Sequence, residues 1–352
     1  MAYTDIDKPT DYFNTVLYTG NATTPTNITG VGFQPDWVWI KNRDNAEMHI
    51  LADAVRGANK LLESNTTDAE LSDTNYIKAF QSDGFQIGSE GAVNGNSQGH
   101  VAWNWLASNS TASNTQGDIT STVSANTTSG FSIVSYTGTG STGTVGHGLG
   151  ATPSMIIIKE RNNSTSWIVY HHKNTSAPAT DYLLLNSTQA TDDYADYFND
   201  TEPTSSVFTI DTAGDINGSS DTYIAYCFAE KKGFSKFGSY TGNGNADGTF
   251  VYTGFKPAFV IRKVTSASSD WLMQDNKRSE SGGSNQIRNY LFPNSSQAEV
   301  SNQDYFNIDF LSNGFKMRST DGGANGSGQT YIYMAFAENP FVTSTGIPTT
   351  AR

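Results

Sequence analysis

The chain of 352 residues is too long for one ordinary domain and suits two or three. Only 16% of residues are charged, 12% are aromatic, and Ser, Thr, Asn and Gly dominate the polar set, a mix that favours short strands and turns over helices. The net charge of −13 argues against nucleic-acid partners, and Cys227 alone excludes an intrachain disulfide. No run of about 18 apolar residues is present to insert in a membrane.

The opening MAYTDIDKPTDYF lacks the basic and apolar regions of a secretory leader, so synthesis in the cytoplasm is expected. After it, an ordered set of markers appears three times. YTG begins at Tyr18, Tyr136 and Tyr240, and a Gly–apolar step reaches Pro35, Pro153 and Pro257. Both markers recur at intervals of 118 and 104 residues. DWVWIK, SMIIIK and AFVIRK then end in Lys41, Lys159 and Lys263. Further on come Asn65, Asn186 and Asn294, then Phe85, Phe208 and Phe315, then an Asn-Gly at Asn94, Asn217 and Asn325. The series closes with HVAWNWLAS, YIAYCFAE and YIYMAFAE. Periods near 100 residues mark repeated domains and not a solenoid of small units.

The markers predict local structure in chain order. Trp37–Ile40 is apolar on both faces, so this strand is expected in the centre of a sheet. ILADAVRGANKLLESN alone could be an amphipathic helix, but its counterpart around Pro178 reads as two strands, and the third copy contains Gly282-Gly283. Strand–loop–strand is therefore expected in all three. The Asn-Gly pairs predict type I′ hairpin turns, which need positive φ, each joining the preceding strand to the closing strand. In the closing strands Val101, Trp103 and Trp105 share one face, as do Ile224, Tyr226 and Phe228, and Ile332, Met334 and Phe336. Small residues such as Ala102, Ala225, Cys227 and Ala335 occupy the other. The bulky face is expected to lie on each unit's own core.

The predicted fold is all-β: three tandem β-sandwich units, jelly-roll or lectin-like, from an internal triplication. The first unit spans 1–107, the second 131–230 and the third 234–338. Residues 108–130 read as a Ser/Thr/Asn-rich linker with a strand near Ile119–Val123, and 339–352 as a C-terminal tail.

Catalytic signatures such as G-x-S-x-G, a P-loop and H-E-x-x-H are missing from the sequence, so no enzyme is expected. Cys227 falls in a core-type strand, and adjacent His171 and His172 would face opposite ways and chelate poorly. The acidic run Asp192, Asp193, Asp196 and Asp200, and the alternating oxygens of Asp215, Asn217 and Asp221, suit a hard cation, so calcium is the one cofactor entertained. Sugar binding needs aromatic faces beside Asn, Asp and Gly-rich loops, which makes Trp37, Trp39, Trp167 and Trp271 the candidate glycan contacts.

The stretch from YTGNATTPTNITGVGFQPDWVWIKNR through FQSDGFQIGS to HVAWNW resembles a β-rich repeat family of virion structural, tail-fibre-like proteins of tailed bacteriophages, mainly of marine bacteria. The resemblance takes in MAYTDIDKPTDYF and FAENPF, with GFQPDWVWIKNR and SDGF its most specific parts, while Trp167 and Trp271 depart from it where the first unit has His49. It implies a non-enzymatic structural protein of the virion, with other virion proteins as partners and a homo-oligomer within the particle. Two roles follow as expectations: a tail appendage binding a host surface glycan, or a decoration protein clamped to capsid or tail.

Overall fold

The computed structural model describes residues 3–278 and 285–349. The Gly282-Gly283 pair lies outside them. Nearly all of the regular structure is antiparallel strand, arranged as three pairs of sheets.

In the first unit the strands are β1 (Phe13–Thr19), β2 (Thr26–Thr29), β3 (Trp37–Asn42), β4 (Ile50–Asp53), β5 (Lys60–Glu63), β6 (Leu71–Ser72), β7 (Ile77–Gln81), β8 (Gly84–Ile87) and, after the single turn α1 (Gly91–Asn94), β9 (Gly99–Trp105). An inner sheet runs β1-β9-β3-β4-β5-β6, and an outer sheet runs β2-β8-β7. The helix option for residues 50–65 fails because both halves pair as strands, β4 with β3 and with β5.

The second unit holds β10 (Ala112–Asn114), β11 (Ser121–Asn126), β12 (Phe131–Thr137), β13 (Gly143–Gly146), β14 (Met155–Glu160), β15 (Ile168–His171), β16 (Asp181–Leu184), β17 (Asp192–Asp193), α2 (Ala195–Phe198), β18 (Val207–Ile210), α3 (Gly214–Asn217) and β19 (Thr222–Phe228). Its inner sheet is β10-β11-β12-β19-β14-β15-β16-β17, and β13 pairs with β18 outside. The stretch expected as a linker thus supplies two strands that widen the second inner sheet. The third unit has β20 (Ser235–Thr241), β21 (Phe250–Tyr252), β22 (Phe255–Val264), β23 (Leu272–Asp275), β24 (Gln286–Ile287), β25 (Ile308–Leu311), β26 (Gly314–Met317) and β27 (Thr330–Pro340). Here the inner order is β20-β27-β22-β23 and the outer order β21-β26-β25-β24.

The closing strand sits in the same place each time. Trp105 lies opposite Phe13 and Trp37, Phe228 opposite Phe131 and Met155, and Phe336 opposite Ser235 and Phe259. Where its bulky face points corrects the sequence expectation. Trp103, Trp105, Tyr226, Phe228, Met334 and Phe336 enter one cluster shared by all three units, together with Trp37, Trp39, Ile157, Trp167, Phe259 and Trp271. The small face lines each unit's own core: Ala102 in the first, Ala225 and Cys227 in the second, Ala335 and Ala337 in the third. Large rings fill the wide space where three sheets meet, and alanines let the paired sheets of one unit approach closely.

A closed set of bonds joins the units. The Trp167 indole donates to the Glu63 carbonyl at 2.9 Å, and Trp271 donates to the Leu184 carbonyl at 2.9 Å. The Glu70 amide bonds the Arg161 carbonyl at 2.9 Å, Thr191 bonds Thr265 at 2.9 Å, and Glu299 bonds Arg43 at 2.8 Å. So the first unit grips the second, the second the third, and the third the first.

Candidate functional site

Most chemically conspicuous side chains are consumed by this architecture. The repeated Asn is the clearest case. Asn94 Oδ1 accepts from the Asn21 amide at 2.9 Å, and its Nδ2 donates to the carbonyls of Thr23 at 2.8 Å and Gly88 at 2.7 Å. Asn217 does the same with Thr139 (2.8 Å), Ser141 (2.8 Å) and Asp211 (2.6 Å). Asn325 bonds Asn243 (3.1 Å), Asn245 (2.8 Å) and Ser319 (2.8 Å). The tyrosine of each YTG completes the latch: Tyr18, Tyr136 and Tyr240 each donate at 2.7 Å to the residue before the Asn, at Val93, Ile216 and Ala324. Its glycine is required by closeness, since a Cβ on Gly20 would stand 2.2 Å from the Gly95 carbonyl oxygen.

This corrects the type I′ expectation. Each Asn ends a short helical or turn segment between the outer and inner sheets, and Gly95 and Gly218 have φ of −55° and −56°. Positive φ falls three residues after each Asn, at Ser97 (60°), Ser220 (72°) and Gly328 (75°).

Lys41, Lys159 and Lys263 are also internal. Their ammonium groups donate to the main-chain carbonyl of the next residue, the last of each strand, at Asn42 (2.7 Å), Glu160 (2.8 Å) and Val264 (2.9 Å). Burial pulls all three down to about 8. The buried ion clusters likewise span units. Arg56 bonds Asp53 at 2.5 Å and Glu70 at 3.2 Å, and Tyr226 of the second unit donates to Asp53 at 2.8 Å. Arg278 bonds Asp275 at 2.6 Å and Glu299 at 2.7 Å, and Trp103 of the first unit donates to Asp275 at 3.0 Å. Burial pushes Glu70 and Glu299 up, but the arginines outweigh it and hold both below the usual carboxylate range. The third corner is neutral: His171 stands in the Asp place, and Thr191 donates to Asn174 at 2.6 Å. The Arg56–Asp53 and Arg278–Asp275 pairs are fully sealed between sheets.

The four tryptophans expected to meet a sugar are sealed too. Trp37, Trp39 and Trp167 are 0% exposed and Trp271 is 1% exposed, all within the shared core. A ring with no accessible face cannot stack on a pyranose, so these residues are not glycan contacts. The sequence pattern flagged aromatic rings correctly as abundant but could not say which faced outward. Asp215 accepts from Tyr197 at 2.9 Å, and Asn217 belongs to the latch. Among the described residues no group of three or more His, Cys, Asp or Glu is placed to hold a metal ion. Cys227 is buried, and burial pushes its thiol up.

Residues 8–340 match a family model whose description is Domain of unknown function (DUF7483). The chain belongs to this family. No curated protein matches it.

Among the described residues this DUF7483 chain exposes Tyr194 of its second unit, at 45%, and three aromatic rings of its third. Tyr305 is 63% exposed, Tyr252 56% and Phe250 44%. Tyr305 borders an open cleft of about 460 Å3 with Asn302, Gln303, Asp304, Thr320 and Asp321. Asp304 is anchored there by Asn307 at 2.6 Å and Arg288 at 2.9 Å, and Asp321 accepts from the Gly323 amide at 2.7 Å. The tetrapeptide DYFN occurs at residues 11–14, 196–199 and 304–307, and its inward ring is the Tyr in the second unit but the Phe in the third. Tyr197 packs on Tyr182 at 4.7 Å and donates to Asp215, whereas in the third unit Phe306 takes that place, packing on Tyr290 at 4.9 Å beside Gly323, and the neighbouring Tyr305 is left facing outward. A second groove, of about 530 Å3, runs between the second and third units past Asn174, Thr175, Thr265, Ser266 and Thr330. Its one ring, Tyr240, is only 7% exposed, so it offers hydroxyls without a stacking face.

Proposed function

We propose that the protein is a non-enzymatic structural protein of a phage virion, displayed on the particle surface, whose third unit contacts a host surface glycan. The observation that carries this reading is the Tyr305 cleft: one exposed ring beside two carboxylates and two amides. A ring stacks on the apolar face of a pyranose, while carboxylates and amides pair with its hydroxyls. The sequence resemblance to virion proteins supports the setting, and the sealed three-unit core supports a rigid display scaffold. The reading places the contact in the third unit, where the exposed ring borders the cleft.

Binding to glycans released from the host envelope tests it. Tyr305→Ala should weaken that binding about 5- to 10-fold, the loss of roughly 1 kcal/mol of stacking, and leave the melting temperature unchanged. Purified protein in excess should also compete with the phage for host cells. Unchanged adsorption would sink the host-binding role. Particles that instead lose stability when the protein is stripped would establish the decoration role, which the open strand edge of β21 favours.

A further inference from the structure

The outer sheets of the second and third units differ at one edge, and the difference points to a docking site. In an antiparallel ladder, alternate residues turn their main-chain groups toward the partner and away from it. In the second unit Val145 pairs with Phe208, and the His147 amide bonds the Ser206 carbonyl at 3.2 Å. Thr144 and Gly146 therefore turn theirs outward. The segment after β10 occupies those groups. The Ile119 amide donates to the Thr144 carbonyl at 2.9 Å, the Asp118 carboxylate accepts from the Thr144 amide at 3.1 Å, and the Ser121 hydroxyl donates to the Gly146 carbonyl at 2.7 Å. Ile119 runs parallel to Val145.

In the third unit Val251 pairs with Phe315, and the Thr253 amide bonds the Asn313 carbonyl at 3.0 Å. Phe250 and Tyr252 thus stand where Thr144 and Gly146 stand, with their main-chain groups turned outward. The Tyr3 hydroxyl meets that of Tyr252 at 3.2 Å, but no described segment pairs with the outward main-chain groups of the two residues. Exposed edges of this kind are ordinarily blunted by charge or proline, yet here two large rings flank the open groups. The first unit's edge shows Asn27 and Thr29 at these positions, polar residues that tolerate water.

We propose that the open edge of β21 accepts an extended segment of another polypeptide, added parallel, as residues 117–121 are added to β13. The occupant carries an acidic residue followed by an aliphatic one. Its carboxylate accepts the Phe250 amide, the next main-chain amide donates to the Phe250 carbonyl, and a hydroxyl two residues on donates to the Tyr252 carbonyl. Main-chain pairing supplies the affinity, and side chains over the exposed rings supply the selectivity. This goes beyond the glycan reading and does not depend on it.

The probe is a synthetic peptide of residues 112–121, ASNTQGDITS, added to the full chain. Amide hydrogen exchange at Phe250 and Tyr252 should slow about tenfold when the peptide is at ten times its Kd. A peptide with proline in place of its isoleucine lacks the donor to the Phe250 carbonyl and should give no protection. Tyr305→Ala should leave the protection intact, which separates this site from the glycan cleft. Unchanged exchange at Phe250 and Tyr252 up to millimolar peptide overturns the proposal. So does equal protection by the proline peptide, or protection that appears at Asn27 and Thr29 instead.

Discussion

At the scale of single residues, the repeated positions are hydrogen-bond parts before they are anything else. Asn217→Ala removes three bonds at once and strands two carbonyls and an amide. We expect a loss of about 3 kcal/mol, read from chemical denaturation of the full chain, because unsatisfied buried groups cost about 1–3 kcal/mol each. The histidines make a second prediction. His49 Nδ1 accepts from the Trp39 indole at 2.9 Å, His147 Nδ1 from the Leu149 amide at 3.2 Å, and His171 Nδ1 from the Lys173 amide at 3.1 Å. A protonated ring cannot accept there. Burial holds His49 well below its ordinary value, His147 down to about 4, and His171, with the His172 charge adding, down to about 3. Below their ordinary 6.5 the unfolded chain takes up protons that the folded chain refuses, so stability falls as pH drops from about 6.5 toward about 4. Asp36 opposes this. Burial raises it to about 6, so the folded chain keeps a proton that the unfolded chain releases. Three histidines outweigh one aspartate, and the melting temperature should decline steadily across that window. His147→Asn should flatten part of the slope; an unaltered slope would mean that His147 does not contribute.

At the scale of elements, the closing strands connect two kinds of core. Phe336 stacks on Phe13 at 4.9 Å and meets Trp105 at 5.8 Å, both from the first unit, and Phe228 of the second at 6.2 Å. Phe336→Ala should therefore cost about 3–5 kcal/mol, and the loss should destabilise all three units together. Amide exchange would show it: β9 and β19 should lose protection along with β27. Loss confined to β27 and its sheet neighbours would mean separate cores. The alternation of bulky and small residues was legible in the sequence, as was the strand status of each segment. Which core each face serves was not, because period-two alternation distinguishes two faces without naming what lies against either.

At the scale of the whole molecule, the ring of contacts makes each unit incomplete alone. The second unit by itself would expose Met155, Ile157, Trp167, Tyr226 and Phe228, all buried in the shared core. A fragment of residues 131–230 should therefore lack dispersed amide resonances and bind hydrophobic dyes, while the full chain unfolds in one cooperative transition. A fragment that folds with native dispersion would show the shared core to be dispensable.

The sequence alone determined the strand-rich composition, the three ordered sets of markers and the central place of Trp37–Ile40, since these follow from residue type, spacing and alternation. It also marked the Asn, Tyr, Gly and Lys positions as special, because each recurs at a fixed offset. Only the tertiary structure decided what they do. The latch joins YTG to an Asn about 76 to 85 residues later, and that proximity comes from two sheets packing. The tryptophans looked like binding faces until three inner sheets converged on them. Tyr305 was one aromatic among many, and only the packed layers show that Phe306 turns inward onto Tyr290, as Tyr197 does onto Tyr182, while the ring of Tyr305 faces water. Burial is a property of the assembled layers, so no local pattern could have assigned it.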